Sequence, residues 1–265
     1  MGDGLALAAL RAGHLLRMSP KENEIMRSVE DHYWWYQALR PHVLAAIQPV
    51  RPDFSLLDAG CGTGGMLKVI RDKFPAADLT GLDQSSHALE LTAARHTGAR
   101  LIPGGVQQLP FPGESFDFVL SLDVLSAIGL DDSLTIREAH RVLHPGGRLI
   151  LNVAALEFLK GAHDRAVDAD RRYTRSQLRH LLRGAQFHVE NLSYWNAVLT
   201  PPIALVRWLS RAGLGENQPA RSDFGAIPVP VNSLLRGLAA LELRATRYVS
   251  LPFGTSLFAV ARKNG

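Results

Sequence analysis

A chain of 265 residues, 46% hydrophobic and 20% charged, has the size and make-up of a globular protein with one sizeable core, which excludes fibrous and disordered classes. The net charge of +4 and pI near 9.5 come without a basic tract: the densest cluster, Arg171, Arg172 and Arg175, has acidic neighbours, so no nucleic-acid partner is expected. A single cysteine, Cys61, excludes an internal disulfide framework and suits a reducing compartment, and no apolar run is long enough for a membrane span, so a cytoplasmic protein is expected.

In chain order, the first apolar run is broken by Arg11 and His14 and lacks the parts of a targeting signal, so residues 1–50 are read as an arm and a helical cap. Ser55–Leu57 is strand-like and leads into a glycine-rich turn, after which Gly65–Phe74 reads as a helix. Ala77–Leu82 is a strand ending at Asp83, and Ser86–Thr97 is helical. Phe116–Leu122 is an apolar strand, Ser133–Leu143 a helix and Arg148–Val153 a buried strand. Thr174–Arg183 is a helix with Thr174 as N-cap and Gly184 as its stop, followed by a strand at Phe187–Ser193. Two apolar helices, Ile203–Ala212 and Val231–Tyr248, form an insertion over 200–250 before a last strand at Ser256–Ala261. Strands apolar throughout and alternating with helices predict a doubly wound, mainly parallel α/β sheet covered on both faces, spanning 51–265 with the insertion inside it.

The chemistry starts at Leu56-Leu57-Asp58-Ala59-Gly60-Cys61-Gly62-Thr63-Gly64-Gly65. Gly60, Gly62 and Gly65 fit the spacing of a dinucleotide turn, so the glycines alone leave a nicotinamide cofactor open. Asp58 points elsewhere. A carboxylate two residues before the first glycine attracts a cation and repels a pyrophosphate, and S-adenosylmethionine carries an ammonium, a sulfonium and no phosphate. Asp83 lies about twenty residues further on, where a carboxylate accepts from ribose hydroxyls. Its competing role is to cap the next helix, a task open to Ser85 or Ser86 as well.

The runs LLDAGCGTGG, GLDQS, LPFPGESFDFVLSLDVL and RVLHPGGRLIL, in that order, resemble the class I S-adenosylmethionine-dependent small-molecule methyltransferases, from Pro52 to Val153. The resemblance implies a seven-stranded sheet whose last, antiparallel strand is the segment from Gly254 to Ala261. It implies that Asp58, Gly60, Cys61 and Gly62 line the methionine and ribose side. Asp83 would hold the ribose, Gln84, Val106 and Gln107 the adenine, and Leu122 would approach the methionine part. Cys61 is expected to fill a tight turn and not to act as a nucleophile. Two positions depart from the family: Gly105 stands where an acid often precedes the adenine contact, and Asp123-Val124 stands where many relatives carry Glu-His.

Acceptor-facing groups are expected outside the cofactor core. The run Glu30–Tyr36 is read as helical, and its four consecutive aromatics, Tyr33-Trp34-Trp35-Tyr36, cannot all face one core. At least one ring should therefore line the pocket, with His32, Tyr33 and Trp35 as candidates and cap packing as the alternative. After the fifth strand, His163 is a candidate base oriented by Asp164, with Arg172 and Tyr173 beside them; an Asp164–Arg172 ion pair is the plainer reading. The segment also resembles a bacterial subgroup with a paired-tryptophan helix. Trp195 and Asn196 complete the candidates. No further ligands accompany His163 and Asp164, so no metal is expected. The expected function is methyl transfer to a small, hydrophobic or aromatic acceptor, by a monomer or homodimer. A same-fold binding protein repurposed for another reaction and a nicotinamide oxidoreductase are the alternatives, and lipid contact through 200–250 stays open.

Overall fold

The computed structural model describes residues 19–49, 51–211, 227–246 and 250–265; the expected arm at 1–18 and the link between the two inserted helices lie outside them. Seven strands form one sheet: β1 (Ser55–Ala59), β2 (Asp78–Asp83), β3 (Arg100–Pro103), β4 (Phe116–Leu122), β5 (Leu143–Ala154), β6 (Phe187–Trp195) and β7 (Ser256–Lys263). The order is β3-β2-β1-β4-β5-β7-β6, parallel up to β5, with β7 antiparallel between β5 and β6.

The central strands are buried on both faces because consecutive side chains diverge. Leu56, Leu79, Leu120 and Ile150 enter one core, while Leu57, Leu82, Val119, Leu149 and Leu151 enter the other. The first core is closed by Leu39 and Val43 of α2 (Trp34–Ala46) and by Leu67 and Ile70 of α3 (Gly65–Lys73). The second is closed by Ile136 and Val142 of α5 (Asp132–Val142) and by Leu178 and Leu182 of α7 (Arg175–Gly184). The remaining helices are α1 (Pro20–Val29), α4 (Ser86–Ala93), α6 (Ala162–Ala166), α8 (Thr200–Arg211) and α9 (Val229–Ala245), with a 3-10 turn at Glu157–Leu159.

Caps fix the helix starts. Thr174 and Gln177 form a reciprocal capping box at α7, and Ser85 accepts from Ala88 N–H at α4. Two expectations are corrected. The strand expected from Arg148 begins at Leu143: Phe116 pairs with Leu143 and Phe118 with Arg148, so Pro145-Gly146-Gly147 bulges within β5 and does not precede it. The helix expected through Glu30–Tyr36 is broken at 30–33, with α1 ending at Val29 and Tyr33 as the N-cap of α2.

The strand order reverses between β1 and β4, which opens a crevice at their carboxyl ends. The cap roofs it. Asn23 of α1 donates to Ser85 Oγ at 3.1 Å, and Asn232 of α9 accepts from Trp34 N–H at 2.8 Å while donating to the His32 carbonyl at 2.9 Å.

Candidate active site

The turn after β1 is pinned to β2, as the N–H groups of Gly60 and Cys61 both donate to the Leu82 carbonyl, at 2.7 and 3.0 Å. Gly60 has φ +88°, and a Cβ there would lie 2.4 Å from Val124 Cγ2, so both conformation and space demand glycine. The chain thereby folds close against the loop after β4 and leaves a cavity of about 410 Å³, within the size range of small-molecule sites.

Asp58 and Asp83 both face this cavity. Asp83 is fixed by N–H donors from Ser85 (2.8 Å) and Gly62 (2.9 Å), so Ser85 takes the cap and leaves Asp83 at the mouth of the turn. Asp58 is buried, and its pKa is lifted to about 7 by desolvation first and then by the charges of Asp83 and Glu30. Crowded carboxylates with little water are an electrostatic demand for a cation. Gly60, Cys61, Gly62, Gln84, Val106 and Leu122 also line the cavity; Gln107 does not. Burial pushes the Cys61 thiol far above its usual range, which disfavours the thiolate.

Sequence reasoning missed Glu30. Its buried carboxylate accepts from Gly65 N–H at 3.1 Å, from the Thr63 hydroxyl and from the Arg95 guanidinium, whose side chain is 1% exposed. A protein carboxylate therefore occupies the N-terminus of α3, the place where a dinucleotide fold receives its pyrophosphate. This argues against a nicotinamide cofactor more directly than Asp58 does.

Beyond the cofactor side, Tyr33, Trp34, Trp35 and Tyr36 all border the cavity, as do Leu130, Leu159, Ile203 and Asn196. Tyr33 and Trp35, the rings expected to face a ligand, are thus among the residues at the cavity wall. His32 is exposed and outside the cavity, its carbonyl engaged by Asn232. Trp195 turns inward: it is 2% exposed, stacks on Trp35 with ring centroids 5.7 Å apart, and donates from Nε1 to Asn152 Oδ1 at 2.8 Å. Tyr173 is also buried, its hydroxyl 2.9 Å from the Leu125 carbonyl and 3.2 Å from Asp132 Oδ2, and does not border the cavity. Asp164 and Arg172 form the two-pronged ion pair of the plainer reading, at 2.9 and 3.1 Å, in the cavity wall. His163 lies on α6, but its side chain falls outside the described residues.

The second missed residue is Asp123, at the position of the absent Glu-His pair. Its φ of +60° is rare for a residue with a side chain and turns the carboxylate toward the cavity. Asn152 donates to both oxygens, at 2.9 and 3.0 Å, while its own carbonyl oxygen is held by Trp195. Asp123 is open to solvent where it lines the cavity, yet the protein atoms crowded around its carboxylate desolvate it, which lifts its pKa to about 7 against the lowering by Asn152 and Arg172. Nearby, burial keeps the Tyr36 phenol neutral, and the Ser126 hydroxyl is buried in the wall without a hydrogen-bond partner. Among the described residues no cluster of potential ligands suits a metal ion.

Comparison with known proteins agrees with this geometry. Residues 57–151 match the family described as methyltransferase domain. A demethylmenaquinone methyltransferase of Thermotoga maritima is 33% identical over 49% of this chain and 53% of its own, so the chain spans about half the length of that relative. A malonyl-acyl-carrier-protein O-methyltransferase of Enterobacter lignolyticus is 28% identical over 72% of this chain and 79% of its own. Among solved structures the cyclase SpnF superposes with a TM-score of 0.62 at 21% identity, covering 96% of each chain, a likeness of fold. Fold, glycine turn and paired acids define a Rossmann-like nucleoside-binding α/β protein. Within that class, residues 57–151 match the methyltransferase domain, and over that stretch the chain is similar to S-adenosylmethionine-dependent methyltransferases.

Proposed function

We propose that the chain transfers a methyl group from S-adenosylmethionine to a small, largely apolar acceptor that presents an O–H or N–H to Asp123. The observation that carries the cofactor half is the Asp58–Asp83 pair at the glycine turn, with the neighbouring anion site already filled by Glu30. Asp58 pairs with the ammonium of the amino-acid tail, Asp83 accepts from the ribose, and Gln84 and Val106 border the base. Bound there, S-adenosylmethionine supplies a methyl group activated by its sulfonium leaving group.

The protein's own work is alignment, exclusion of water and proton removal. The aromatic rings of the cap, with Leu130, Leu159 and Ile203, supply apolar walls. Asp123 is the polar group placed to orient an acceptor and take its proton, and a pKa near 7 suits a base at neutral pH. Asn152, locked by Trp195, holds both carboxylate oxygens and so fixes the direction of Asp123. Asp164 and Arg172 shape the wall as a closed pair, and His163 carries no part of this reading.

Incubation with methyl-labelled S-adenosylmethionine and a panel of apolar alcohols, phenols, carboxylic acids and amines tests the proposal. Labelled product with at least one class is expected. Tight cofactor binding without transfer to any acceptor would move the chain to a non-transferase use of the same site.

A further inference from the structure

We infer that the outer surface of α8 and α9 docks on an anionic lipid bilayer. Every large hydrophobic side chain that is substantially exposed among the described residues belongs to this part of the chain or to the loops beside it. Leu205 (56% exposed), Val206 and Trp208 (62%) lie on α8, and Val229, Val231, Leu234 and Leu241 on α9. Phe158, Val198 and Phe253 are the remaining three. Scattered apolar residues on a surface mean little; their concentration on these two helices and the loops beside them, with none on the rest of the sheet's cover among the described residues, marks an interaction face.

Periodicity separates the inner from the outer face of each helix. On α8, Ile203 and Arg207 are four residues apart and border the cavity, while Leu205 and Trp208, three apart, point the opposite way. On α9, Asn232 and Glu242 bind the rest of the molecule, Glu242 accepting from the N–H groups of Ala197 at 2.8 Å and Val198 at 3.2 Å. Val231, Leu234 and Leu241 form a separate exposed stripe. Glu242 thereby ties α9 to the turn from which α8 starts.

The charge chooses the occupant. Residues 196–255 hold six arginines against three acids. On α8 and α9 themselves the one acid, Glu242, is buried in its hydrogen bonds, whereas Arg236 and Arg244 are exposed. An apolar face flanked by cations, with no exposed carboxylate on either helix, suits insertion among lipid chains beneath anionic headgroups. Self-association through the same two helices in a two-fold dimer would bring their exposed arginines together with no exposed carboxylate on either helix to offset them. No described helix is long and apolar enough to cross a membrane, so contact is at the surface.

The test uses the full chain with vesicles of phosphatidylcholine alone and of phosphatidylcholine with phosphatidylglycerol, the latter also in brominated form. Co-sedimentation with the anionic vesicles, weakened by salt, is expected, together with quenching of tryptophan fluorescence that disappears in Trp208→Phe. The other tryptophans, Trp34, Trp35 and Trp195, are buried or half-buried within the fold. Leu205→Ser/Val206→Ser/Trp208→Ser should bind anionic vesicles about tenfold or more weakly, since adsorption scales with the apolar area buried. Unchanged affinity of that variant for S-adenosylmethionine shows that it is folded. Absence of binding to both vesicles would overturn the inference. So would a concentration-dependent dimer that the triple variant dissolves, which would assign the face to a second copy.

Discussion

Asp58 and Asp123 carry the two halves of the site, and both are carboxylates whose surroundings favour the protonated form. They are distinguished by what they face. Asp58 lies under the glycine turn with Asp83 and Glu30, so its charge is wanted only when a cation arrives. Asp123 faces the aromatic side and is gripped by Asn152. Asp123→Asn should leave the affinity for S-adenosylmethionine within about twofold and lower kcat by roughly 10²–10⁴, the range for loss of a general base. At saturating cofactor, kcat of the natural protein should rise with pH through about 7, where Asp123 ionises, and that limb should vanish in Asp123→Asn. Asp58→Asn should do the reverse: cofactor affinity falls about 30- to 150-fold, the worth of about 2–3 kcal/mol for a charged hydrogen bond. Steady-state rates and binding titrations on the two variants separate these outcomes.

At the level of elements, a buried ion pair adds to the apolar contacts of α2 in holding the cap on the sheet. Glu30 and Arg95 are almost solvent-free, and Arg95 also donates to the Thr63 carbonyl at 2.7 Å. Removing one partner strands the other. Glu30→Ala should therefore destabilise the fold by about 3–5 kcal/mol in denaturant titrations and expose the cap to limited proteolysis ahead of the sheet. A loss within 1 kcal/mol would show that the pair adds little to those apolar contacts. The parts of this architecture visible in the sequence are those written locally. The glycine turn, Asp83 with a serine to relieve it of capping, the Thr174 cap and the strands buried on both faces each depend on residues close together in the chain. Glu30 was not legible because nothing near it announces a helix N-terminus 35 positions away. Asp123 was passed over because its role depends on Asn152 across the sheet and on a positive φ that its neighbours do not signal. β3 is too short and too half-buried at the sheet edge to stand out, and Trp195 looked like a pocket residue until its ring turned out to face Trp35 and Asn152.

At the scale of the whole molecule, the two raised carboxylates couple folding to pH. Because the folded-state pKa values of Asp58 and Asp123 are raised from 3.8 to about 7, the folded protein holds protons that the unfolded chain has released between those limits. Stability without cofactor should therefore fall as pH rises from about 4 to about 7 through these two groups, and level off above. A cationic ligand offsets the Asp58 part, so the rise in Tm on adding S-adenosylmethionine should be larger at pH 8 than at pH 6, read by thermal unfolding. The central claim is that the turn is built for a cationic nucleoside, and calorimetric titration of S-adenosylmethionine and of NAD across that pH range tests it most directly. Affinity for S-adenosylmethionine should weaken by up to about tenfold per pH unit below 7, with a proton released on binding, and NAD should give no heat. Binding of S-adenosylmethionine that ignores pH, alongside measurable binding of NAD, would contradict it.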